Sequence, residues 1–165
     1  MLTRPEQPED HAAIHATTGA AFRSAPYSGG NEARIVDALR AAGALTLSLV
    51  ACEGEAVIGH VAFSPVRIGG ADLGWFGLGP VSVRPDRQGA GVGSALIREG
   101  LDRLRVMGAA GCVVFGEPGY YGRFGFETDA ALAYPGAPDG YFQRLPFRGE
   151  APSGEVAYDA AFEVA

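Results

Sequence analysis

The stretch RPDRQGAGVGSALI, residues Arg84 to Ile97, decides how the rest of the chain is read. Ahead of it, Leu78-Gly-Pro-Val-Ser-Val83 is a short apolar run with the pattern of a buried strand. Behind it, Leu96, Ile97, Leu101, Leu104 and Met107 recur at three- and four-residue spacing, which predicts a helix with one buried face. Between strand and helix, Gly89, Gly91 and Gly93 alternate with Ala90 and Val92. Such a turn has no large side chain along one side, so backbone N–H groups can converge on whatever lies beyond the helix N-terminus. Those groups lack intrahelical partners, and the helix dipole adds about half a positive charge there. The guest that fits is an anion, most often a phosphate or pyrophosphate.

Two common phosphate loops do not match. A P-loop needs Gly-Lys-Ser/Thr at the helix start, and all 13 basic side chains of this chain are arginine. A dinucleotide fingerprint needs a third glycine where Ser94 stands, and it usually opens its domain rather than falling midway along the chain. Gln88-Gly89-Ala90-Gly91-Val92-Gly93 instead reads as Q/R-x-x-G-x-G/A. With the preceding strand LGPVSV and the later segment GEPGYYGRFGFE, Gly116 to Glu127, the sequence resembles the GCN5-related N-acetyltransferases (GNAT). It is most similar to small bacterial members carrying a YYxRFGF segment.

That resemblance implies an α/β fold: one domain over residues 1–165, with a mixed, mostly antiparallel, splayed β-sheet flanked by helices. It implies acetyl-CoA as co-substrate, no metal, and direct attack by a primary amine. Gln88, Gly89, Ala90, Gly91, Val92, Gly93 and Ser94 would hold the pyrophosphate. Val81, Ser82 and Val83 would pair through their main chain with the pantetheine, where the splayed strands Leu78 to Val83 and Gly111 to Phe115 leave backbone groups free. Arg87 reads either as a phosphate contact or as a solvated loop arginine. The tyrosine five residues before the phenylalanine of the Gly125-Phe126 pair is Tyr121, the candidate general acid and a cofactor contact; Tyr120 competes with it, and either could be core material.

The base is less legible. The strand before the phosphate loop carries no carboxylate, which leaves Glu32 and Glu117. Glu32 reads equally as a residue favouring the helix N-terminus electrostatically. His60 lies among apolar strand residues and suits a hydrogen-bonded core position as well as a base. His11 and His15 have metal-ligand spacing without a third ligand in view. An acyl-CoA sensor without turnover is the alternative that the missing strand carboxylate supports.

Composition narrows the class. A net charge of −6 speaks against a general nucleic-acid binder, and the longest apolar runs are too short to cross a bilayer. Cys52 and Cys112 lie in apolar runs and read as reduced core residues, so a cytoplasmic protein is expected. The expected acceptor is a small-molecule or protein amine, and an exposed final strand could pair with a second copy to give a homodimer. The expected elements are a helix opened by Pro8-Glu-Asp10 and running through about Phe22 with Asp10 as N-cap, a helix from Glu32 to Ala42, and a third ending near Gly108. Strands are expected at Leu2 to Pro5, Gly74 to Val83 and Gly111 to Phe115, and at Thr46 to Cys52 and Ala56 to Pro65, the last two joined by a Glu53-Gly54-Glu55 hairpin. Arg23 to Asn31 reads as loop. Tyr141 to Phe147 and Glu155 to Phe162 are expected to form a closing C-terminal β-hairpin.

Overall fold

The hydrogen-bonded strands run in the order Leu2–Pro5, Leu47–Glu53, Ala56–Pro65, Trp75–Val83, Gly111–Phe115 and Phe142–Pro146, with a second, three-stranded sheet in the order Arg67–Ile68, Gly154–Ala157 and Leu132–Ala133. The computed structural model describes residues 1–23, 25 and 28–165, so the loop expected at Arg23 to Asn31 lies partly outside the described residues. The chain divides into two compact units: residues 1–63, 80–100 and 160–165, and residues 64–79 and 101–159.

In the first unit, β1 (Leu2–Pro5) pairs antiparallel with β2 (Leu47–Glu53), and β2 pairs antiparallel with β3 (Ala56–Pro65). The Glu53-Gly54-Glu55 turn makes the expected hairpin, with Gly54 at φ 59. Helices α1 (His11–Phe22) and α2 (Glu32–Ala41) contribute Ile14 and Val36 to a core shared with Val50, Cys52 and Val57. Asp10 stands at the N-cap of α1, but its carboxylate turns back to the Gln7 amide (2.7 Å) and to Arg4 (2.7 Å). The charged pair outcompetes the cap. The end of β5 (Trp75–Val83) leads into α3 (Val92–Val106), whose Val92 and Leu96 close over Gly59 of β3. A Cβ at Gly59 would lie 2.8 Å from Val92, so the contact requires glycine.

In the second unit, the start of β5 pairs in parallel with β6 (Gly111–Phe115), from Trp75↔Gly111 to Leu78↔Val114. The Trp75 indole fills the space above Gly111, where a Cβ would meet it at 2.5 Å. β6 pairs antiparallel with β8 (Phe142–Pro146). Helix α4 (Pro118–Tyr121) follows β6 and passes into a 3-10 turn over Gly122–Phe124. β4 (Arg67–Ile68), β7 (Leu132–Ala133) and β9 (Gly154–Ala157) form the smaller sheet, and Val66, Ile68, Trp75, Val113, Leu132 and Val156 form the core.

The closing hairpin is not formed. β8 joins β6, whereas β9 lies between β4 and β7 and ends at Ala157; Ala160–Glu163 is a 3-10 turn. The connection from Phe147 to Ser153 is no tight turn, so nothing local pins the two segments together. Gly154 instead lets β9 approach the Gly69 turn, where a Cβ would sit 3.0 Å from the Gly69 nitrogen, and Gly69 N–H donates to the Glu155 carbonyl at 2.9 Å.

Candidate active site

The glycine turn adopts the conformation its sequence requires. Gly89 and Gly91 have φ of 80 and 85, where an L side chain is strained, and Ala90 between them is exposed. Ala95 N–H is the first backbone amide here to donate back to the Gly91 carbonyl (3.1 Å). The amides of Val92 and Gly93 therefore precede the helical ladder and carry the dipole's positive end. Val92 is buried, which fixes the first turn against β3, while Gly93 and Ser94 are half-buried.

The neighbouring side chains hold this turn in place. Gln88 Nε2 donates to the Val83 carbonyl at 3.0 Å, fastening the turn to the end of β5. Ser82 is buried, and its hydroxyl lies 3.2 Å from that of Thr18 on α1, so its side chain anchors the strand. Val81 and Val83 flank it and are half-buried. The parallel register with β6 ends at Leu78↔Val114, whereas β5 runs on to Val83. Arg87 is drawn to Glu53 (2.7 Å) and Asp86 (3.0 Å), and Arg84 to Asp86 (2.6 Å). These pairs hold Asp86 below its ordinary range, first through the Arg84 hydrogen bond.

Glu32 opens α2 and accepts from Ser28 Oγ (2.8 Å) and Gly29 N–H (3.1 Å). It lines a cleft of about 460 Å³ together with Gly19, Phe22, Ser28 and Gly30. In the second unit, the Tyr121 ring lies against Gly116, where a Cβ would fall 2.3 Å from it. Tyr120, Phe124 and Phe126 surround it, with centroids 5.0, 6.3 and 6.1 Å away. Burial, then Tyr120 and Cys112, push its hydroxyl well above the ordinary tyrosine range, so it stays protonated at neutral pH. Tyr120 carries the Arg123 guanidinium 4.6 Å over its ring. The side chain of Glu117 is exposed, and its carbonyl accepts the Tyr120 and Tyr121 amides at 3.1 Å.

The histidines are accounted for by the fold. His60 is fully buried with Nε2 2.7 Å from Ser48 Oγ, and burial lowers its pKa to about 4. His15 pairs with Asp37 (2.7 Å) and His11 with Glu6 (3.1 Å). Among the described residues no group of side chains could hold a metal ion.

The acetyltransferase (GNAT) domain matches residues 3–128, which include the glycine turn, α4 and Tyr121. The chain belongs to the GNAT acetyltransferase family. GNAT relatives are similar over nearly the whole length. The uncharacterized N-acetyltransferase YhbS of Escherichia coli K12 is 42% identical over 146 residues, 86% of this chain and 84% of that protein. A GNAT acetyltransferase of Brucella melitensis, solved with acetyl-CoA, is 57% identical with a TM-score of 0.89, covering 98% of this chain and 97% of that one. The E. coli YhbS structure, solved with CoA, is 39% identical with a TM-score of 0.90, covering 99% and 92%. The mixed, mostly antiparallel sheet with flanking helices is the fold these structures share, and the chain is an acyltransferase of this family. Sequence reasoning missed the glycine notches at Gly59 and Gly116, because what a glycine admits becomes visible only once its neighbour is placed.

Proposed function

We propose that this chain transfers the acetyl group of acetyl-CoA to a primary amine, as one domain spanning residues 1–165. The glycine turn opening α3 carries the reading, because its Val92 and Gly93 amides precede the helical ladder, where an anion such as a pyrophosphate is favoured. The relatives solved with acetyl-CoA and CoA support the choice of donor. Gln88 to Ser94, with Arg87 released from Glu53, would hold the phosphates, and the main chain of Val81, Ser82 and Val83 would pair with the pantetheine. The neutral amine attacks the thioester carbonyl carbon, the C–N bond forms, and the C–S bond breaks with its electron pair on sulfur. Tyr121 donates a proton to that sulfur. Glu32, the carboxylate in the α1–α2 cleft, takes the proton the amine loses. The two free, buried cysteines fit a reducing compartment such as the cytoplasm.

A thermal-shift series with acetyl-CoA, CoA, NADH and ATP tests the donor. At a hundred times its dissociation constant, a ligand adds about 2.7 kcal/mol of stability. Stabilisation by acetyl-CoA and CoA, followed by amine-dependent release of CoA thiol, is the expected result. A shift with NADH or ATP alone refutes the reading of the turn.

A further inference from the structure

Strand β6 is buried through Cys112, Val113 and Val114, yet its last residue, Phe115, is 43% exposed. Tyr134 stands edge-on to that phenyl ring at 6.0 Å, and Tyr141 is tilted against it at 6.2 Å. Tyr134 is itself braced, stacked on Phe142 at 5.0 Å and edge-to-face with Tyr158 at 5.3 Å. Three rings in different planes thus meet at an open strand end, backed by a fixed aromatic layer. From Phe115 to Tyr141 the chain carries four carboxylates and one arginine, Arg123, which lies over Tyr120. Glu127 and Asp129 are engaged by Arg144 of β8 at 3.4 and 3.2 Å, whereas Glu117 and Asp139 stand two residues from Phe115 and Tyr141 in sequence. Electron-rich ring faces flanked in sequence by two carboxylates attract a cation more than a neutral apolar group. The next residue along the strand is Gly116, whose notch seats Tyr121.

We propose that Phe115, Tyr134 and Tyr141 bind a second, non-reacting cationic centre of the acceptor, so that the acceptor is an aliphatic diamine or polyamine. The proposal rests on the acetyl-transfer reading above. A reacting nitrogen must be neutral to attack, so a site built for positive charge recognises a different nitrogen of the same molecule. A diamine supplies both.

The test compares CoA release with cadaverine, spermidine, n-hexylamine and phenethylamine as acceptors. The expected result is a kcat/KM for cadaverine about tenfold above that for n-hexylamine, the size of one cation–π contact. Phe115→Leu keeps the apolar volume, removes the ring face and brings that ratio to about one, chiefly through KM for cadaverine. Phe115→Tyr restores it. Equal use of n-hexylamine, a preference for phenethylamine, or a ratio untouched by Phe115→Leu overturns the proposal. If no amine releases CoA, the acetyl-transfer reading fails on its own, and calorimetry with spermidine then decides the inference. Spermidine binding that is weakened in Phe115→Leu sustains the cation site, and absence of binding to the wild-type protein removes it.

Discussion

Tyr121 illustrates how one hydroxyl can be separated from the ring that carries it. The ring is held by Gly116, Phe124 and Phe126, so Tyr121→Phe preserves the packing and deletes only the hydroxyl, the proton donor proposed above. The expected outcome is a fall in kcat of at least about 100-fold, with KM for acetyl-CoA and the melting temperature unchanged. Gly116→Ala makes the complementary change. It leaves the hydroxyl in place but drives a Cβ to within 2.3 Å of the ring, which must move. A displacement of about 1 Å costs on the order of 100-fold in rate, so this variant should lose kcat without losing a chemical group. Steady-state kinetics on both variants, with a melting curve for each, decide the matter; full activity in Tyr121→Phe removes Tyr121 from the mechanism. Tyr121 is singled out by the family resemblance at the Gly125-Phe126 pair, and its catalytic role is the proposal these variants test. Its seat was not legible in the sequence, because no local signal couples Gly116 to a ring five residues away.

Among elements, the turn into α3 and the body of α3 use glycine for opposite reasons. Gly91 needs its left-handed backbone, so Gly91→Ala should destabilise the protein by about 1 to 2 kcal/mol and raise KM for acetyl-CoA by disturbing the amides. Gly100 lies inside the helix, where alanine would ordinarily help by about 1 kcal/mol. Here a Cβ would lie 2.3 Å from the fully buried Phe63 ring, so Gly100→Ala should cost about 1 to 3 kcal/mol and leave KM for acetyl-CoA alone. Urea melts and donor titrations of the two variants separate the effects. The same contrast explains what the sequence revealed. Strands such as Ala56–Pro65 and Gly111–Phe115 carry strong apolar runs between turn signals, and their expected bounds agree with the structure. The last two strands are short, and β9 buries one side chain, Val156. Its partners are chosen by distant residues, the Gly69 turn and Leu132, which no local pattern announces.

At the scale of global stability, the buried His60 sets the response to acid. Its Nε2 meets Ser48, Ser48 donates to Glu6, and Glu6 pairs with Arg40 (2.9 Å) and His11 (3.1 Å). One network thus ties β3, β2, α1, α2 and the segment after β1. Burial holds the His60 pKa at about 4 against an ordinary 6.5, with Glu6 raising it and Arg40 lowering it to lesser extents. The folded state resists the proton that the unfolded chain accepts. Stability is therefore complete above about pH 6.5 and declines as pH falls toward about 4, by about 3 kcal/mol in all. About 1 kcal/mol of that is gone by pH 5.5. Asp10, held low first by its hydrogen bond from Arg4, adds a loss of the same sign only below the ordinary carboxylate range. Glu6 does likewise: burial raises its pKa, but its bonds from Arg40 and Ser48 outweigh this. His60→Gln can keep a bond to Ser48 but cannot titrate. Its urea-derived stability should be flat from pH 7.5 to 5.5 while the wild-type protein weakens, and parallel declines in the two proteins would show that another group carries the acid response.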